Sequence, residues 1–181
     1  MLKEMSEGTE RIPLVSNANE IITLPVIIIA GITARTSNSK EFDAATAQIP
    51  KTMQQFFTQT MPVLSANNVS GSVYAVYTDY ESDMNGEYTY VIGQSPASAE
   101  SVDELRQASL HVFQLHGQKY AKFTTAPGKM PDVVIDAWKH IWSLSDEELG
   151  GKRSYKTDFE VYGPLSMDPN NAVVEIYIGI E

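Results

Sequence analysis

Glu160 is the residue of this sequence whose surroundings most clearly indicate chemistry. It lies in a strand-like run, residues 157–164, directly after Phe159 and two positions before Tyr162. Because alternate side chains of a strand point to opposite faces, Glu160 and Tyr162 share one face, and Phe159 and Val161 share the other. A carboxylate placed among aromatic rings is unfavourable unless a positive group meets it. The run therefore predicts a binding site for a cation.

Two other interpretations of Glu160 stay open from the sequence alone. The side chain could be a solvated strand carboxylate, or it could pair with Lys156 or Arg153. If it is buried, its pKa is expected to rise, because the loss of water disfavours the charged form. An ammonium or amidinium group of a ligand would offset that loss, and flanking rings would add about 0.5–2 kcal/mol each through cation–π attraction.

Aromatic residues in the other predicted elements are candidates for the walls of such a site. Flat apolar walls accept many aromatic cations, since stacking demands little shape specificity. A stripe of aromatic residues also serves as ordinary core, so each position keeps both interpretations. Together with Glu160, the candidate ligand-binding residues are Tyr77, Tyr80, Tyr90, Phe123, Trp138 and Tyr162.

The composition argues against several other kinds of site. The chain has 181 residues, with 13 basic and 23 acidic side chains and a formal net charge of −10. Direct binding of nucleic acid or of an anionic membrane is therefore not predicted, because both rest on clustered Lys and Arg. Without cysteine, no disulfide, thiolate metal site or cysteine nucleophile is possible. His111, His116 and His140 are scattered, so neither a metal site nor a cofactor is predicted.

An apolar run at residues 21–32 is the only stretch that invites a membrane interpretation. It is too short to span a bilayer and contains Pro25 and Gly31. It also follows a polar leader, residues 1–19, and so starts too late for a signal peptide. These observations predict a buried strand and a cytoplasmic protein.

Hydrophobic periodicity and turn residues predict the elements that position these side chains. One helix is expected from near Ile49, where Pro50 fits a first turn, to about residue 64, and a second over residues 131–144. Asn85 and Gly86 predict a hairpin between two strands. The predicted strands are residues 21–35, 72–80, 87–94, 111–125 (broken at His116-Gly117), 157–164 and 173–180, with a connector at 95–110.

The predicted order is β-α-β-β twice, in repeats at about residues 20–95 and 110–181. Similar strands at residues 87–93 and 174–180 support a duplication. We expect an α+β fold, in which one antiparallel sheet with pseudo-twofold symmetry carries two helices that flank a groove, and such grooves commonly hold ligands. Residues 1–19 are expected to be a flexible leader and residues 20–181 a single domain.

In the order and spacing of its segments the chain resembles the GyrI-like effector-binding domain family. That family includes effector domains of AraC-type and other multidrug-responsive activators, gyrase-inhibitory proteins and stand-alone integron-cassette cation binders. The segments that carry the likeness are residues 29–38, 74–80 and 86–93 in the first half, and 117–123, 138–142, 158–162 and 174–178 in the second.

The resemblance implies a groove lined by aromatic residues, with a buried glutamate that pairs with cationic, often planar ligands. That glutamate matches Glu160. The chain departs from the family at residues 144–151, where members often carry an aromatic-Leu-Pro turn, and this departure concerns the shape of one groove wall.

The residues and the resemblance together predict a non-catalytic protein that binds cationic, aromatic or amphipathic small molecules and is linked to transcriptional regulation. Some proteins of the resembling family are hydrolases that open cyclopropane rings, which implies an alternative in which Glu160 transfers a proton together with Tyr80 or Tyr90. A third alternative is a role in binding a protein, such as a DNA-binding regulator or gyrase, through the acidic surface.

Overall fold

The computed structural model describes residues 20–96, 105–106 and 111–181. Eight strands in these ranges form one antiparallel sheet, so the predicted α+β fold is confirmed. The strands are β1 Glu20–Leu24, β2 Ile27–Ser37, β3 Val73–Thr78, β4 Glu87–Gln94, β5 His111–Leu115, β6 Gln118–Thr124, β7 Thr157–Tyr162 and β8 Glu175–Ile180. Their order across the sheet is β1-β6-β8-β7-β3-β4-β2-β5.

Helices connect the strands within each half of the chain. They are α1 Asn38–Glu41, α2 Ile49–Gln55, a π-helical turn Phe56–Thr60, α3 Met61–Ala66, α4 Asp132–Ser143, α5 Asp146–Leu149 and a 3₁₀ turn Pro164–Ser166. The predicted helix start near Ile49 and the predicted second helix over residues 131–144 are both confirmed. No helix in the described ranges is long and apolar enough to cross a membrane.

The two halves of the sheet are equivalent about its centre. β3 pairs with β7 in the middle; β4 and then β2 follow on one side, and β8 and then β6 follow on the other. Each half therefore places strand, helix, strand and strand in the same spatial order, which is the pseudo-twofold arrangement expected from the sequence.

β1 and β2 pair with β6 and β5 in one long antiparallel ladder that bends in the middle. Leu24 pairs with Gln118 and Ile27 pairs with Leu115, so the register is unchanged across the bend. The prediction of one continuous strand over residues 21–35 is wrong at this point, because Pro25 has no backbone N–H to donate to the ladder. Since β1 and β2 are far apart in the strand order but are joined by only two residues, the sheet curls back on itself.

The two faces of the curled sheet are buried in different ways. One face packs against itself in a cluster that takes residues from all eight strands, with Val76 and Phe159 near its middle. The other face is covered by helices in two clusters, one around Phe56 under the first helical segment and one around Phe123 under α4. Both helical clusters end against Tyr77 and Tyr162, above the central strands β3 and β7.

The segments between the strands include the predicted turn and one short helix. Asn85 and Gly86 lie in the turn between β3 and β4, as predicted, where the Gly86 N–H donates to the Asp83 carbonyl oxygen at 3.2 Å. Residues 144–151 contain α5, which begins with a capping box between Ser145 and Glu148. The predicted leader, residues 1–19, and most of the predicted connector, residues 95–110, lie outside the described residues.

Candidate functional site

A groove of about 610 Å³ lies between α2 and α4, above the centre of the sheet. Its walls are mainly apolar and are built from rings, branched side chains and methionine thioethers: Phe42, Ile49, Pro50, Met53, Met84, Met130, Pro131, Val134, Ile135, Trp138 and Trp142. Its floor is formed by β3, β4 and β7, which contribute tyrosines and one carboxylate: Tyr77, Tyr88, Tyr90, Tyr162 and Glu160. A groove of this size with apolar walls and few polar groups is typical of a small-molecule site.

Glu160 lies at the floor of the groove with only 2% of its surface exposed. Three side chains donate hydrogen bonds to its carboxylate. The Tyr77 hydroxyl lies 2.8 Å from Oε1, the Trp138 Nε1 lies 2.6 Å from the same oxygen, and the Tyr162 hydroxyl donates to Oε2. Its neighbour across the ladder on β3 is Ala75, a small residue that leaves the space above this position to the carboxylate and its donors.

The electrostatic state of Glu160 follows from these contacts. Burial raises the pKa of Glu160, and the three hydrogen bonds, which lower it, offset only part of that rise. Burial also holds the pKa values of Tyr77 and Tyr162 well above the usual tyrosine range, so both hydroxyls keep their protons. The Trp138 indole can only donate. All three partners are therefore neutral, and the described part of the chain supplies no ion-pair partner for Glu160.

A second buried carboxylate lies next to Glu160 on the same face of β7. Asp158 is fully buried and forms an ion pair with Arg153 through its Oδ2. The Tyr80 hydroxyl donates to the same oxygen at 2.7 Å, and the Gly179 N–H donates to Oδ1 at 2.8 Å. Next to the groove, the protein therefore neutralises a buried carboxylate itself.

The structure brings most of the predicted site residues together. Glu160, Tyr77, Tyr80, Tyr90, Trp138 and Tyr162 all line the groove. Phe123 does not: it is 1% exposed and packs in the core between β6 and α4. We therefore leave Phe123 out of the proposed walls.

The structure also tests the alternative interpretations of Glu160. Its burial contradicts the solvated-carboxylate interpretation, and Arg153 pairs with Asp158 instead of Glu160. The proton-transfer alternative named Tyr80 or Tyr90 as the partner of Glu160. The structure gives that contact to Tyr77 and Tyr162, because Tyr80 donates to Asp158.

Two residues at or next to the groove were missed by the sequence analysis although a signal for each exists. Asp158 lies two residues before Glu160, so strand alternation places it on the same face. Trp142 lies one helical turn after Trp138, and the same face of α4 carries both. Phe42, Met53 and Met130 carry no such signal, because nothing in a single sequence shows which apolar residues border a groove.

The departure at residues 144–151 does not alter the groove wall. None of these residues borders the groove, and Leu149 is buried in the core under α4. Within the described ranges, no three His, Asp or Glu side chains come together to form a metal site.

Comparison with known proteins assigns the chain to a family. A family model described as integron-associated effector binding protein matches residues 20–180. The chain belongs to this family. The match spans every strand of the sheet and every groove residue named above.

Individual relatives agree with that assignment. The chain is 31% identical to the candidate transcriptional regulator protein YobU of Bacillus subtilis (strain 168) over 153 residues. The aligned region covers 84% of this chain and 91% of the relative. The structure of the chain matches that of integron cassette protein VCH_CASS2 from the mobile metagenome of Vibrio cholerae, with a TM-score of 0.74 and 28% identity over 94% of this chain and 100% of the other. A structure of SAV2435 bound to tetraphenylphosphonium shares the fold, with a TM-score of 0.66 and 16% identity over 90% of this chain and 93% of the other.

Proposed function

We propose that this effector-binding protein binds lipophilic monocations that carry aromatic groups, and that Glu160 is their counter-ion. The observation that carries the proposal is the set of partners around Glu160. Its carboxylate is buried beneath aromatic rings and is held by three neutral donors, with no cationic partner in the described part of the chain.

The energetics of such a carboxylate favour a cationic ligand. An ionised carboxylate is destabilised by burial, and hydrogen bonds from neutral groups compensate only in part. A cation that displaces water from the groove would meet the carboxylate at low local dielectric, where their attraction is stronger than in water. The rings of Tyr77, Trp138 and Tyr162 would add about 0.5–2 kcal/mol each if the cation faces them.

The apolar walls set the second requirement for the ligand. Rings and methionine side chains line both sides of the groove, and methionine adapts its shape easily. Such walls stabilise aromatic or alkyl groups around the charge and reject a small hydrated cation. The tetraphenylphosphonium bound to SAV2435 has this combination of one delocalised positive charge and four aryl groups, so it is a suitable first probe.

Intrinsic fluorescence offers a direct measurement of this binding. The chain has two tryptophans, Trp138 and Trp142, and both line the groove. We expect tetraphenylphosphonium to change their emission in a saturable way. Tetraphenylborate has the same shape and the opposite charge, so it should not bind.

Substitution of Glu160 tests its role as the counter-ion. Glu160→Gln should weaken tetraphenylphosphonium binding about 30-fold or more, because loss of a buried charge pair costs about 2 kcal/mol or more. Glu147→Gln removes the same charge from an exposed position on α5 and should change the affinity by less than about twofold. Equal affinities of wild type and Glu160→Gln would refute the proposal.

The remaining functional expectations from the sequence stay predictions. They are the regulatory or gyrase partner, the cytoplasmic location and the proton-transfer alternative. The geometry adds support to none of them.

A further inference from the structure

Arg153 is a groove residue whose side chain is held by an ion pair and by two aromatic rings. Its side chain is 10% exposed, and its Nη2 bonds to Asp158. The guanidinium carbon lies 5.7 Å from the ring centre of Trp138 and 4.7 Å from that of Tyr155. Tyr155 makes this contact from a left-handed backbone conformation, with φ at 49°, which is strained for a bulky residue.

The hydrogen-bonding capacity of this guanidinium is mostly unused. Arginine has five N–H donors, and among the described residues only Asp158 accepts a hydrogen bond from Arg153. Its Nε is occluded from solvent and has no acceptor in the described part of the chain. Its Nη1 also lacks an acceptor there but keeps contact with solvent. Since Arg153 lines the groove, the open side of the guanidinium is within reach of a bound molecule.

Trp138 joins this guanidinium to the proposed cation site. Its Nε1 donates to Glu160, and its ring faces the guanidinium of Arg153. Trp138 therefore contacts both polar groups, the carboxylate at its Nε1 and the guanidinium over its ring. One ligand of ordinary drug size can reach both.

We propose that Arg153 is a second polar anchor, and that the natural ligands are cations that also carry a neutral hydrogen-bond acceptor such as a carbonyl or ether oxygen. This inference rests on the proposed function and narrows its ligand class. The cationic end meets Glu160, and the acceptor end meets Arg153. A neutral acceptor suits this place better than a carboxylate, because Asp158 already neutralises the guanidinium and would repel a second anion.

A matched pair of probes tests the acceptor. The para-acetylbenzyl and para-ethylbenzyl derivatives of triphenylphosphonium have the same charge and nearly the same shape, and only the first has a carbonyl oxygen. The meta isomers sample a second placement of the acceptor. We expect one acetyl probe to bind the wild-type protein about tenfold more tightly than its ethyl counterpart, as a hydrogen bond from a charged donor allows.

Arg153→Lys should then remove this preference. Lysine keeps the positive charge beside Asp158 but lacks the planar fork and its additional donors, so the ratio of the two dissociation constants should fall to about twofold or less. The ratio is the readout, which cancels any general change in groove affinity. Lys139→Gln is the matched control, because Lys139 is the other cation on the groove but is 62% exposed and is engaged by Asp136 at 3.4 Å. In that variant the ratio should stay near tenfold.

Each outcome has one interpretation. The proposal is overturned if neither acetyl probe is preferred by the wild type, if the preference survives in Arg153→Lys, or if it is lost in Lys139→Gln instead. The wild-type comparison needs no variant, so it decides the matter even if Arg153→Lys does not fold. Failure of both ethyl probes to bind would count against the proposed function itself, whereas ethyl probes that bind with no acetyl preference would overturn only this inference.

Discussion

Asp158 and Glu160 are two carboxylates on one face of one strand, and the fold treats them in opposite ways. Both are buried, and each accepts three hydrogen bonds. For Asp158 one of the donors is the Arg153 guanidinium, so the charge is balanced within the protein. For Glu160 every donor is neutral. The difference teaches that burial of an acid is not by itself a reason to propose a ligand site, and that the charge of its hydrogen-bond partners must be weighed as well.

The largest expected consequence of this difference concerns stability. Asp158→Asn leaves the Arg153 guanidinium buried without a counter-charge, and such changes typically destabilise proteins by about 3–5 kcal/mol. Urea denaturation followed by circular dichroism would measure the change in the free energy of unfolding. A loss below about 1 kcal/mol would mean that Arg153 is not dependent on Asp158, and the contrast between the two acids would disappear.

The pH dependence of binding is the next largest effect. Burial raises the pKa of Glu160 in the free protein, and a bound cation favours its ionised form, so binding releases a proton when the pH is below that pKa. The affinity for tetraphenylphosphonium should then fall by about tenfold for each pH unit below it and level off above it. Tryptophan fluorescence titrations at a series of pH values would show this. Glu160→Gln should bind weakly and independently of pH, and a pH-dependent Glu160→Gln would assign the proton to another group.

A smaller effect is expected on the stability of the free protein when Glu160 loses its charge. Because the folded-state pKa of Glu160 is raised, ionisation of this residue destabilises the fold at any pH above its ordinary pKa. Glu160→Gln should therefore raise the free energy of unfolding at neutral pH by about 1 kcal/mol, since a glutamine can still bond to Tyr77, Trp138 and Tyr162. The gain should vanish in acid, where the carboxyl group is protonated in both states.

Urea denaturation of Glu160→Gln and wild type at neutral and acidic pH is the corresponding measurement. A marked destabilisation at neutral pH would show that the ionised carboxylate holds the groove together in the absence of ligand.

The smallest effect comes from a single donor. Tyr162→Phe removes one hydrogen bond that favours the ionised carboxylate, so the pKa of Glu160 should rise further and the midpoint of the binding profile should move to higher pH. Tyr177→Phe is the matched control, because Tyr177 also donates to a carboxylate two residues before it, Glu175, but on the opposite face of the sheet. Its profile should match that of the wild type. Equal shifts in both variants would exclude a direct effect of Tyr162.

The predicted elements succeeded where local chemistry determines the structure. The Asn85-Gly86 turn, the helix start at Ile49 beside Pro50, and the shared face of Glu160 and Tyr162 each follow from a few adjacent residues. The break at Pro25 was missed although its cause is local, because the long apolar run concealed it.

The errors at the site have a different origin. Phe123 and Tyr77 both face the helices, so alternation along the strand cannot separate them. Phe123 is on β6, beneath α4, and Tyr77 is on β3, beneath the gap between the helices. Position across the sheet decides the matter, and that position is set by strand order. The ion pair between Arg153 and Asp158 depends in the same way on how the loop between α5 and β7 returns to the sheet. No short sequence pattern predicts the path of that loop.

The bent ladder of β1–β2 with β5–β6 has a consequence for how a ligand enters. Each half of the chain contributes its leading strand to the other half, and the halves are also joined through β3 and β7. Neither half is a complete folding unit, so we expect separately expressed halves to remain unfolded until they are mixed. The two halves also cannot separate like hinged domains without breaking these strand pairs. Under the proposed function, a ligand would therefore enter by adjustment of the two helices and their side chains above the sheet.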